Sequence, residues 1–198
     1  MRSSWIDDEV MGHILAAMMP ANRLVVDVAD ATGLRIGDVL QLRTEQLQRG
    51  QRVTVRESKT GKTRRVYMPA KLRDRMLNQA GVRYVFEGRG GIDRHRTRQA
   101  VYKDMVQAAQ VFKRSGAAPQ TASISPHSAR KRAAVRAYHR GGVDAARALL
   151  NHADNDIAVT LLYALSDIEP PRRQRRAKKR SGGAAARPKQ QRAAEAGS

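Results

Sequence analysis

The sequence predicts an α+β fold, a mainly α-helical domain with one small antiparallel sheet at its edge. Three observations carry that reading. Apolar residues recur three and four apart in most segments, the spacing of one helix face. One stretch, from Gln51 to Pro69, switches to alternation around a Gly-containing turn, the pattern of a hairpin. The chain is 41% apolar but only 4% aromatic, so its core must rest on Leu, Val, Ala, Met and Ile. With 198 residues it fits one domain plus a tail, or at most two small domains.

The first helix follows Ser4, with Asp7 and Asp8 near its positive end and Val10, Ile14, Leu15 and Met18 on one face. Pro20 interrupts that pattern. A second helix runs from Asn22 to about Ala31, and Thr32-Gly33 turns the chain. LRIGDVLQLR is a short helix with Leu34, Val39 and Leu42 inward and Arg35 near its start. Asp38 lies three residues on, where it can pair with Arg35. The segment around Leu47 is expected as a short strand. Val53 and Val55, then Val66 and Met68, alternate on either side of Lys59-Thr60-Gly61-Lys62 and predict the hairpin. Lys59 sits at the turn, where a long cationic side chain can reach a ligand, and Lys62 is its close competitor. Pro69 opens a helix with Leu72, Met76 and Leu77 inward. RYVFE is a short apolar segment, and GRGGIDRHR reads as a Gly/Arg loop able to follow a phosphate backbone. Thr97 caps a helix to about Phe112, and residues 115–125 form a loop. Ser125 and Pro126 then start a helix that Gly141-Gly142 ends. Two short helical patterns follow, holding His152 and Tyr163.

Composition excludes several chemistries. There is no cysteine, hence no disulfide framework, thiolate metal site or cysteine nucleophile. The five histidines have no zinc-type spacing. No apolar run approaches the ~18 residues of a membrane span, and acids within the N-terminal apolar stretch argue against a signal peptide. A cytoplasmic protein is the expectation.

The formal charge is +20 and the isoelectric point about 11.4, which points to a polyanionic partner. Residues 168–198 hold ten basic side chains against Glu169 and Glu195, so +8 lies in this stretch and +12 in residues 1–167. The tail has no apolar face and is expected to be disordered. It suits sequence-independent binding to phosphates, or simple solubilisation. The domain itself is basic in its own right.

In SPHSARKRAAVRAY, His127 and Arg130 are three apart and share a helix face. With His152 and Tyr163 downstream, they are groups able to attack and stabilise a phosphate ester. Each alone has a plainer reading: a satisfied polar histidine, a solvated arginine, a core tyrosine. The order matters more than any one residue. Arg35 in TGLRIGDVLQL, Lys59 in SKTGKTRRVYMP, His127 and Arg130 in PHSARKRAAVRAY, and His152 and Tyr163 in LLNHADNDIAVTLLY occur in sequence. In this the chain resembles the catalytic domain of the tyrosine recombinases, the phage integrase family, over roughly residues 5–167.

That resemblance implies the fold of the DNA breaking-rejoining enzymes and a site-specific recombinase or integrase acting on double-stranded DNA. Tyr163 would attack the phosphodiester and form a 3′-phosphotyrosyl link. Arg35 and Arg130 would hold the non-bridging oxygens, with Asp38 orienting Arg35. His127 would accept the phenol proton, Lys59 would protonate the leaving 5′-hydroxyl, and His152 would hydrogen-bond the phosphate. No cofactor and no metal is implied. The family implies a homotetramer on DNA, with the free protein possible as a monomer. His152 and Tyr163 are eleven positions apart, longer than the family's usual spacing, and the extra length fits in ADND. Larger relatives add an N-terminal helical domain that clasps the far side of the DNA, whereas here the catalytic-domain pattern begins after Ser4. Three other readings stay open: a non-catalytic DNA-binding accessory relative, a basic RNA- or ribosome-associated protein, and a type IB topoisomerase with the same chemistry.

Overall fold

The computed structural model describes residue 6 and residues 8–150. His152, Tyr163 and the basic tail at 168–198 lie outside the described residues. Eleven elements follow in order: α1 (Asp8–Ala16), α2 (Pro20–Thr32), α3 (Ile36–Leu40), α4 (Thr44–Gln48), β1 (Arg52–Arg56), β2 (Thr63–Tyr67), α5 (Ala70–Asn78), β3 (Glu87–Gly88), β4 (Gly91–His95), α6 (Arg98–Arg114) and α7 (Pro126–Leu150). The mainly helical α+β reading holds, with two small antiparallel sheets in place of one.

The fold is built around α2. Leu24, Val25, Val26, Val28 and Ala29 are all buried, so this helix is enclosed on nearly every side, and it packs against α1, α3, α5, α6 and α7. A helix with apolar residues around its circumference belongs inside a domain. Pro20 suits its first turn, where no N–H is lost. Gly33 ends it with φ +68°, its N–H bonding Ala29 O at 2.9 Å. That left-handed residue turns the chain directly into α3.

In the first hairpin, β1 pairs with β2 in the register Val53↔Val66 and Val55↔Arg64. Val53, Val55 and Val66 face the core. Gly61, at φ +68°, donates to Glu57 O at 2.8 Å and closes the turn.

Three local expectations are corrected. The segment around Leu47 is helix α4: Gln46 Oε1 accepts the Arg43 N–H at 2.9 Å, capping a first turn that buries Leu47. The Gly/Arg loop is a second hairpin, β3 with β4 in the register Glu87↔His95. Gly91, at φ +98°, permits the reversal. At the start of α7 it is Ser128 Oγ that accepts the Ser125 N–H, at 3.4 Å, the reverse of the cap expected from Ser125. Gly141 and Gly142 break the helix as expected, with Gly142 at φ +67°, and a further helical stretch follows to Leu150. Thr97 caps α6 as expected, Oγ1 accepting from Ala100 N at 3.1 Å.

Candidate active site

The site forms where the α2–α3 turn, the first hairpin and the start of α7 meet. Arg35 immediately precedes α3 in an extended conformation. The turn at Gly33 aims it at the hairpin, and its Nη1 donates to Glu57 Oε2 at 2.6 Å. Glu57 follows β1 and is fully buried. On its other oxygen, Oε1 lies 3.2 Å from Arg64 Nε. Thr60 Oγ1 adds a 3.0 Å bond to Oε2. Burial by itself would push the Glu57 carboxyl up, but the bonds from Arg35 and Thr60 and the charges of Arg35 and Arg64 outweigh it, holding its pKa below the ordinary value.

Asp38 is also buried, at 1% exposure, and it does not take the role expected of it. Its Oδ1 accepts from Ser58 N at 2.9 Å and Ser58 Oγ at 2.7 Å. It therefore anchors the base of the turn carrying Lys59, while Glu57 is the carboxylate on Arg35. The physical reason lies in the helix: Asp38 sits on the inward side of α3, and Arg35 precedes that helix in extended backbone.

Arg130, one turn into α7, is buried and spans two backbone carbonyls. Nη1 donates to Gly33 O, and Nη2 to Leu150 O at 2.9 Å. Desolvation, then the charges of Arg35 and Arg64, lower its pKa to about 10 against the help of Glu57 and Asp38. It stays cationic at neutral pH. Arg64 likewise donates from Nη1 to Leu149 O at 2.5 Å. Two arginines thus hold consecutive carbonyls at the point where the chain leaves toward His152.

His127 is exposed in the first turn of α7. Its pKa is lowered, first by partial desolvation and then by Arg130, Arg35, Arg98 and Lys59. The neutral imidazole is favoured, which is the form that accepts a proton. Lys59 is exposed in the hairpin turn. Beside His127 a cavity of about 460 Å³ is lined by Ile36, Arg98, Tyr102 and Ser125 among others. The fold therefore brings Arg35, Lys59, His127 and Arg130 to one cationic place. No group of residues suited to hold a metal ion occurs among the described residues.

Three contributors escaped the sequence reading: Glu57, Arg64 and Arg98. Arg64 carried a signal, since strand alternation puts it on the same face as buried Val66. Glu57 sits beside the lysine turn, but nothing local marks it as buried. Arg98 opens α6 and reaches the site only through tertiary packing.

A family model described as the phage integrase family matches residues 4–168. The chain belongs to that family. Among solved structures it is similar to the XerA recombinase, at 18% identity and TM-score 0.61, over 83% of this chain and 61% of that one. A lambda integrase dimer bound to a COC′ core site matches at 19% identity and TM-score 0.67, over 80% of this chain and 47% of that one. A lambda integrase tetramer bound to a Holliday junction matches at 17% identity and TM-score 0.64, over 81% and 48%. The family member described here thus spans roughly half to three-fifths of these chains, and at such identities the likeness is one of fold. No curated protein matches the sequence.

Proposed function

We propose that this protein is a site-specific DNA recombinase that breaks and rejoins duplex DNA through a 3′-phosphotyrosyl intermediate on Tyr163. The observation that carries the reading is the convergence of Arg35, Arg130, Lys59 and a neutral-leaning His127 at one site, in a member of the phage integrase family.

The chemistry follows from those groups. Tyr163 Oη attacks phosphorus and gives its proton to His127. As the new P–O bond forms, negative charge grows on the two non-bridging oxygens. Arg35 and Arg130 offer N–H donors to them, and fixed cations stabilise that charge without reorganising. The P–O5′ bond breaks, and Lys59 protonates the departing 5′-hydroxyl. The phosphotyrosyl ester conserves the energy of the broken phosphodiester, so a 5′-hydroxyl can reverse the step without ATP. His152 would add a hydrogen bond to the phosphate. The +12 of residues 1–167 supplies sequence-independent affinity for the duplex, and the +8 of the tail extends it. A homotetramer on DNA is the working assembly of this reading, the assembly that the family resemblance implies.

The decisive test is covalent trapping on a nicked suicide duplex taken from sequence flanking the gene. Wild type forms an SDS-stable protein–DNA adduct, and Tyr163→Phe forms none. A wild type that binds the duplex but yields no adduct would instead identify a DNA-binding accessory protein.

A further inference from the structure

Glu57 has no part in the proton transfers above, yet it is the most enclosed charge in the site. Its side chain is completely buried. One oxygen takes Arg35 Nη1 at 2.6 Å and Thr60 Oγ1 at 3.0 Å, and the other faces Arg64 Nε at 3.2 Å. Removing a carboxylate from water is unfavourable unless partners compensate, and here two guanidinium groups do so. The backbone of the same residue frames the lysine turn: its N–H donates to Lys62 O at 2.9 Å and its carbonyl accepts from Gly61 N at 2.8 Å.

We propose that Glu57 is a positioning residue for strand cleavage, a carboxylate clamped between Arg35 and Arg64 that sets Arg35 toward the scissile phosphate and locks the Lys59 turn to the end of α7. The proposal rests on the recombinase reading above. Three connections support it. Arg35 with one Nη held keeps its remaining N–H donors for a phosphate, and a guanidinium fixed in advance loses less rotamer freedom on binding. Arg64, its other end on Leu149 O, ties the carboxylate to the helix end that leads toward His152 and Tyr163. Finally, Arg35, Arg64 and Arg130 are like charges whose fields act on one another, and Glu57 is among the groups that offset them at Arg130. Of the two buried carboxylates near these arginines, Glu57 is the one that meets both Arg35 and Arg64 directly.

The test compares wild type, Glu57→Gln and Glu57→Asp for single-turnover adduct formation on the suicide duplex, beside DNA affinity and thermal denaturation. A second duplex carries a methylphosphonate at the scissile position, which lacks one non-bridging anionic oxygen. At metal sites, loss of a partner that orients a direct ligand costs about 10–100-fold, and the same scale is taken for a carboxylate that orients a phosphate-binding guanidinium. Glu57→Gln is expected to slow cleavage of the ordinary duplex by that amount with DNA affinity near wild type, and to show a smaller penalty on the methylphosphonate, where Arg35 has less charge to meet. Glu57→Asp, which keeps the charge but is shorter, falls between. Wild-type rates for Glu57→Gln, or an equal penalty on both duplexes, would overturn the proposal. So would both variants losing fold, affinity and cleavage in parallel, since that outcome marks a purely structural pair. If wild type itself forms no adduct, the recombinase reading falls and the proposal falls with it. An adduct from wild type with an unaffected Glu57→Gln removes the proposal alone.

Discussion

Helix α7 carries two arginine clusters, and they have opposite charge economies. Toward the hairpin, Arg130 joins Arg35, Arg64 and Lys59 around only two buried carboxylates, Glu57 and Asp38. Toward α1 and α2, Arg132 and Arg136 meet Asp8 and Asp30 one for one. Arg132 lies 2.6 Å from Asp8, and Arg136 lies 2.6 Å from Asp30. Both faces contain buried or half-buried arginine, so arginine content does not distinguish them. The balance does. A neutral cluster is complete in the folded chain and serves packing. A cluster with surplus positive charge waits for an anion and suits phosphate chemistry.

The sharpest way to break this comparison is to delete one cation or anion from each side. Arg35→Ala should slow adduct formation on the suicide duplex by about 10²–10³-fold, the usual loss for one donor to a developing oxyanion. Asp30→Ala, on the balanced face, should leave that rate near wild type.

Gly33→Ala touches the surplus face without altering its charge. Its φ of +68° disfavours a side chain, and a Cβ there would stand 2.8 Å from both Leu149 Cγ and Leu149 O. A loss of about 1–3 kcal/mol is expected from strain of this kind, read by denaturant unfolding. The Gly33 carbonyl also receives Arg130, so cleavage should fall as well. A stable variant with unchanged cleavage would show that the α2–α3 turn and the end of α7 need not meet so closely.

On the balanced face, Asp30→Ala leaves Arg136 its bond to the residue-30 carbonyl but leaves Asp8, whose side chain is 72% exposed, as the one carboxylate paired with Arg132 and Arg136 among the described residues. Stability should fall by about 1–2 kcal/mol, at the lower end for charged hydrogen bonds because solvent screens the pair.

The smallest effect concerns pH. The titration midpoint of His127 in the free protein, followed by NMR, should lie below its ordinary 6.5. Its folded pKa is depressed, so the unfolded chain binds the proton more readily between the two values. This histidine therefore makes stability decline as pH falls below about 6.5. Glu57 adds a separate loss in stronger acid, because its folded pKa lies below the ordinary 4.5 and its contribution disappears as pH falls through that lower value. A His127 midpoint above 6.5 would mean that neither its desolvation nor the surrounding cations act on it as the fold implies.

Much of the architecture was legible in the sequence because it depends on short-range rules. The apolar spacing of α1, α2, α5 and α6 and the alternation of the first hairpin each report a local period that one buried face enforces. The misread pieces lacked such a period. Five-residue α4 offers too few turns to show one, and the second hairpin has its strand β4 almost wholly exposed, so no alternating core face announces it. Within the site, Arg35, Lys59, His127 and Arg130 were legible as an ordered set. The assignment of carboxylates was not. Asp38 is near Arg35 in sequence, but the chain reverses at the hairpin and presents Glu57 instead.

The sequence by itself determined the mainly helical α+β class, the phage integrase resemblance later matched by the family model, the basic character, and the identity and order of the candidate chemical groups. These follow from composition, periodicity and motif order, which need no knowledge of long-range contacts. Tertiary structure alone decided the pairing of Glu57 with Arg35 and Arg64, the anchoring of the lysine turn by Asp38, the approach of Arg98, and the hold of Arg64 and Arg130 on the end of α7. Each of those joins residues distant in the chain, and buried charges select partners by where the folded backbone places them.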